Sequence, residues 1–268
     1  MNNIDEYEND NNHSANGNPE LPGEEYAVHG GHPPFPHVPI DPYVANAQPA
    51  HGWLTSPVSR AEFAFRNNWL SSWLTSEMEG MKNFPEHSIA PLRWFDNERT
   101  QFGAPFPDSD QFANDGGAVP RTVPDGFIIS GGRADTSRNI VNFTDNELFA
   151  ARGVRWPVTP VVAGGTYPIF WHTTVWHPVR GYRYFITKDG WDQNMRLRRA
   201  DLELTPFQSV FNRHRNHWGP DLRQTMPAIS PQNVRMPMGK RGRHIILAVW
   251  LVADSAAGFY QALDVDFG

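Results

Sequence analysis

HIILAVWLV, residues 244–252, is a continuous apolar run. Its length and its branched, aromatic content fit a strand buried on both faces. Further on, FYQALDVDF (259–267) sets Phe259, Leu263, Val265 and Phe267 on one face, with Gln261 as the exception. That period of two predicts a half-buried strand. Working back along the chain, GYRYFIT (181–187), TYPIFWHTTVW (166–176), DGFIIS (125–130) and DLELTPF (201–207) also read as strands. HGWLTSPVSR (51–60) reads as a first strand stopped by Pro57. Helical spacing is confined to residues 60–82, where Leu70, Trp73, Leu74, Met78 and Met81 recur at the right intervals. Residues 84–124 are rich in Pro, Gly and Asp and predict loops. The order of elements predicts an all-β domain. It is an antiparallel β-sandwich with a loop-and-helix insertion after the first strand.

The 268 residues include ten Trp and seventeen Phe, enough to build a sizeable core. A net charge of −6 argues against a nucleic-acid partner, which selects for basic patches. No stretch approaches 18 apolar residues, so no membrane span is expected. With no cysteine, any metal must be held by His, Asp, Glu or backbone groups. Composition changes abruptly near residue 50. Residues 1–50 carry eight Asp and Glu, no Lys or Arg and eight prolines, which leaves the remainder at +2. Such a segment buries too little apolar surface to offset its ordering entropy. We expect a largely disordered acidic extension over 1–50, extended at PPFPHVPIDPY (33–43), and one domain over 51–268. The start, MNNIDEYENDNN, has neither the basic nor the apolar part of a secretory signal, so export would need another route.

Eleven histidines are scattered, and no H-E-x-x-H, G-x-S-x-G, Walker A or G-x-G-x-x-G motif is present. His29 and His32 in HGGH could bind a stray metal ion. His172 alternates to the other face from His177 and reads as structural.

Six blocks carry a resemblance. They are HGWLTSPVSR, MEGMKNFP (78–85), DGFI (125–128), GYRYFITKDGWD (181–192), LELTPF (202–207) and HIILAVWLVADSAAGFYQALDV (244–265). In this order the chain resembles the bacterial chitin-binding lytic polysaccharide monooxygenases (auxiliary activity family ten, chitin-binding type 4 domain), and more distantly the viral fusolins. The likeness runs from His51 to Phe267 and is weakest over 88–124 and 208–240. It implies a fibronectin- or immunoglobulin-like sandwich. One copper ion is then held by the amine and imidazole of the first His and by a second imidazole. With an external electron donor and O2 or H2O2, such a domain oxidises crystalline polysaccharide, here chitin before cellulose.

By the same resemblance, His51 and His177 are the metal ligands. Phe259 matches an apolar residue at the copper's axial side, and Glu79 an acid near the metal. Thr174 and Asp254 match polar positions around the site. Trp73 matches an exposed aromatic that stacks on sugar. Read without the resemblance, Phe259 fits the core, Glu79 and Asp254 are ordinary solvated acids, and Trp73 fits the apolar stripe of a helix. A secreted monomer is expected.

The sequence departs from the family at the decisive atom, because His51 follows Ala50 through an amide bond. Peptide resonance withdraws the nitrogen lone pair. Three readings stay open. Residues 1–50 could be a pro-region removed between Ala50 and His51, although Gln48 suits signal peptidase poorly. The extension could stay on a non-catalytic chitin binder. The fold could also serve a virulence effector.

Overall fold

The computed structural model describes residues 51–82, 84–85, 123–174, 177, 179–211, 229–252 and 257–268, all within the unit Val44–Gly268. Among the described residues, nine strands form two sheets. β1 (Gly52–Ser56), β4 (Thr166–Thr173) and β7 (Gln232–Arg235) make one, in the order β1-β4-β7. The other runs β2-β9-β8-β5-β6, with β2 at Glu79–Met81, β5 at Val179–Ile186, β6 at Gln208–Phe211, β8 at Arg243–Val252 and β9 at Ala257–Asp266. β3 (Val158–Pro160) joins β9 in parallel; every other pairing is antiparallel.

The run 244–252 is β8, and it is buried on both faces. Ile246, Ala248, Trp250 and Val252 meet Leu54, Ile169, Trp171 and Val234 of the smaller sheet. Ile245, Leu247, Val249 and Leu251 meet Ala61, Leu70, Met78, Ile128 and Leu148 of the insertion. The insertion therefore works as a third layer, covering the face of the larger sheet that would otherwise face water. That cover corrects the reading of β9. Its opposite face is buried too, through Tyr260 and Ala262, and only Asp266 is exposed.

Three further expectations are corrected. The helical stretch over 60–82 is two short helices, α1 (Arg60–Arg66) and α2 (Ser72–Ser76), followed by β2. Asn68, at φ 58°, turns the chain between them, and Ser59 and Ser71 cap the two starts through their hydroxyls. DGFIIS is a series of turns rather than a strand. Its backbone donors are satisfied locally (Gly131 N to Ile128 O at 3.0 Å, Gly132 N to Phe127 O at 2.9 Å), with Gly126 and Gly131 at positive φ. DLELTPF keeps only a Thr187–Leu202 bridge before the edge strand β6 begins at Gln208.

A buried ion network fastens the insertion to the sandwich. Asp264 on β9 is 1% exposed. It accepts from Arg60 Nε at 2.7 Å and Nη2 at 3.0 Å, and from Arg243 Nη2 at 2.8 Å. Arg60 also donates to the carbonyls of Val141 and Phe143, and Arg243 pairs with Asp145, which opens helix α3 (Asp145–Arg152). Two arginines and two aspartates balance, so removing one member strands the rest. Asp264→Ala is expected to cost about 3–5 kcal/mol. In a scanning calorimeter that lowers the melting temperature by on the order of 10 °C.

The strand pairings bring several chain ends to one end of the sandwich. Gly52 of β1 faces Thr173 of β4, Val179 of β5 faces Val252 of β8, and Glu79 of β2 faces Phe259 of β9. His51 just before β1, Thr174 just after β4 and His177 two residues before β5 therefore come together there.

Candidate metal centre

His51 stands immediately ahead of β1. Its carbonyl accepts from both the amide and the hydroxyl of Thr174, each at 2.8 Å. Gly52 permits this close seating, because a Cβ there would lie 2.4 Å from the His172 carbonyl oxygen and 3.0 Å from the Trp250 ring. The His51 imidazole is half-buried and lies among three rings. The His177 ring is 6.0 Å away and tilted by only 12°. Phe259 is at 5.2 Å and Trp73 at 5.1 Å, centroid to centroid. Phe259 also approaches His177 at 6.2 Å and Trp250 at 5.1 Å. It is fully buried, a member of the core and the apolar floor beneath both imidazoles at once.

The electrostatics favour a neutral His51. Burial, reinforced by the nearby His177, pulls its pKa down to about 4. At neutral pH its ring then carries a nitrogen lone pair. Nδ1 is buried and makes no hydrogen bond, although Oε1 of Glu77 comes within 2.5 Å outside hydrogen-bonding angles. Among the described residues, no group of three or more His, Asp or Glu side chains is arranged to hold a metal ion.

Glu79 stands on β2 opposite Phe259 and close enough to His177 to feel its charge. Its carboxylate accepts from Arg133 at 2.9 Å, and its carbonyl also binds Arg133. Burial pushes the Glu79 pKa up, Arg133 pulls it back, Glu77 pushes it up further and His177 opposes. Gly80 lets β2 press onto the loop that carries Arg133, since a Cβ there would meet the Gly131 carbonyl oxygen at 2.6 Å.

Trp73 is 59% exposed, which corrects its place in an apolar helical stripe. The short helix α2 turns Thr75 and Ser76 inward and leaves the indole outside, stacked on His51. His172 is exposed and packs edge-on against Trp53 at 4.6 Å. Asp254, His29 and His32 lie outside the described residues.

Sequence reasoning missed Glu77, Arg133 and Arg138. The signal for Glu77 was the alternation in SEMEG (76–80), since residues two apart share a side of extended chain.

A family model described as "Lytic polysaccharide mono-oxygenase, cellulose-degrading" matches residues 51–265. The chain belongs to this family. Its lytic polysaccharide mono-oxygenase domain is 32% identical to a chitin binding domain from Burkholderia pseudomallei. The two superpose with a TM-score of 0.64 over 82% of this chain and 100% of that one. A lytic polysaccharide monooxygenase from Streptomyces lividans is 28% identical, with a TM-score of 0.55 over 81% of this chain and all of its own. Each of these two chains is matched over its whole length. Its sandwich is the immunoglobulin-like one of these neighbours. A GlcNAc-binding protein A from Shewanella oneidensis is 27% identical over 229 residues, 84% of this chain and 37% of that protein. The chain spans about a third of the length of the curated relatives it matches.

Proposed function

We propose that the domain beginning at His51 is a copper-dependent oxidase of crystalline polysaccharide, acting on chitin in preference to cellulose. One observation carries the reading. Two near-parallel imidazoles, His51 and His177, converge at one end of the sandwich, and the buried Nδ1 of His51 makes no hydrogen bond. A neutral nitrogen donor set of this kind suits copper. His51, His177 and a freed amine on residue 51 would hold the ion. Bound there, copper supplies one-electron chemistry with O2 or H2O2 for attack on a glycosidic C–H bond.

The remaining roles belong to the chain's own side chains. Phe259 closes the floor and keeps polar groups off that side of the imidazoles. Glu79, held by Arg133, is poised to give or take a proton beside them. Trp73 offers an open indole face to the apolar face of a pyranose. Thr174 secures residue 51, and the resemblance alone assigns Asp254 a polar role at the site. The solved chitin binding domain and the GlcNAc-binding relatives support chitin, whereas the family description names cellulose. We further propose that the protein acts outside the cell, as a monomer, once residues 1–50 are removed.

The test is direct. Protein 51–268 with His51 first, given β-chitin and ascorbate in air, is expected to release oxidised chitooligosaccharides detectable by mass spectrometry, and less product from cellulose. Trp73→Ala should weaken retention on chitin roughly fivefold, about 1 kcal/mol of lost stacking, at an unchanged melting temperature. Equal retention would remove Trp73 from the binding face.

One observation favours a second reading. In the chain as written, residue 51 has an amide nitrogen. If the extension stays attached in the mature protein, the domain binds chitin without oxidising it. Intact-mass analysis of protein from its native source separates the two.

A further inference from the structure

Glu77 has no part in the donor set above, yet its carboxylate lies against the His51 ring. Its Oε1 lies 2.5 Å from the buried Nδ1, and that nitrogen makes no hydrogen bond. The other carboxylate oxygen, Oε2, faces Arg138 at 3.8 Å. The carboxylate is thus directed, one oxygen toward an arginine and one toward the imidazole.

Its mounting is firm. Glu77 closes helix α2, and its amide donates to the Leu74 carbonyl. Its own carbonyl accepts from Arg138 Nη1 at 2.9 Å. Arg138 is held in turn by Asp135 through Nε at 2.7 Å. The other charged groups around this corner are Glu79 and Arg133, which are paired with each other at 2.9 Å. Arg138 and, more weakly, Arg133 act on Glu77, but the nearer guanidinium stands 3.8 Å from its carboxylate, against 2.9 Å for Arg133 and Glu79.

An imidazole nitrogen and a carboxylate oxygen are both electron-pair donors. At 2.5 Å, without hydrogen-bonding angles, they converge on the same small region. An anion so placed interacts more strongly with a doubly charged ion at the imidazole than with a singly charged one. We propose that Glu77 is a positioning and charge-tuning residue of the metal centre, favouring Cu(II) over Cu(I) there. This rests on the copper reading above.

The experiment compares the His51-first domain with its Glu77→Gln variant, which keeps size and removes charge. Cu(II) affinity is measured by isothermal titration calorimetry, Cu(I) affinity by competition with a chromogenic chelator, and the Cu(II) environment by electron paramagnetic resonance. Cu(II) affinity should fall about tenfold and Cu(I) affinity only about threefold, since the singly charged ion feels half the Coulomb attraction. For a one-electron couple that difference raises the reduction potential by about 30 mV, and the hyperfine splitting of Cu(II) should change. Equal weakening of both oxidation states marks a merely structural role and overturns the proposal, as does unchanged Cu(II) affinity. Failure of the unmutated domain to bind copper overturns the copper reading itself, and the proposal with it.

Discussion

A domain whose first residue is His51 is expected to bind Cu(II) on the order of a hundredfold more tightly than the same chain with Ala50 still attached, a difference of about 2.7 kcal/mol. The contrast comes from one atom. A terminal amine, with a pKa of about 7.7–8.0, readily offers its lone pair to a metal. The peptide nitrogen between Ala50 and His51 shares its pair with a carbonyl. The imidazoles of His51 and His177 are the same in both proteins, so calorimetric titration of the two isolates the contribution of the amine. Matched affinities would mean that the metal is held by side chains alone, and that removal of residues 1–50 does not govern binding.

His177→Ala, in the His51-first domain, should abolish both specific copper uptake and release of oxidised product. His51 alone can form only one chelate ring, and the near-parallel second imidazole at 6.0 Å is gone. The variant should nevertheless fold. His177 is only half-buried and stands two residues before β5, outside the ladder that pairs β5 with β8. A melting temperature close to that of the parent, together with the loss of the Cu(II) resonance signal, separates a ligand from a structural residue. Persistent oxidation by this variant would sink the assignment of both imidazoles.

Much of the sandwich was legible, because hydrophobic burial writes itself into local pattern. The apolar run of β8 needed two covering layers and has them. DGFIIS misled because a short apolar run does not reveal which backbone partners it will find. Here Gly126 and Gly131 permitted turns that satisfied the donors locally. The half-buried reading of β9 failed for a related reason. Asp264 lies on the face read as solvent-facing, and Gln261 was the polar exception on the buried one, yet each is buried with partners from distant segments: Arg60 and Arg243 for the first, Ser59 for the second.

The centre itself was legible only through resemblance. His51 and His177 are 126 positions apart, and no local spacing links them. Trp73 is exposed, as the resemblance implied and the helical spacing did not. What the structure adds is Glu77 beside His51, with Arg138 against Glu77 and Arg133 against Glu79. These contacts are made by turns from different parts of the insertion, where periodicity carries no information.

The double grip of Thr174 on the His51 carbonyl has a consequence for timing. The grip acts on the far side of residue 51 from the bond to Ala50, so hydrolysis of that bond leaves both contacts intact. The newly exposed head of the polypeptide would be born in register, with no fraying end to re-dock. Maturation would then follow the clock of the protease alone, without a slower conformational stage behind it.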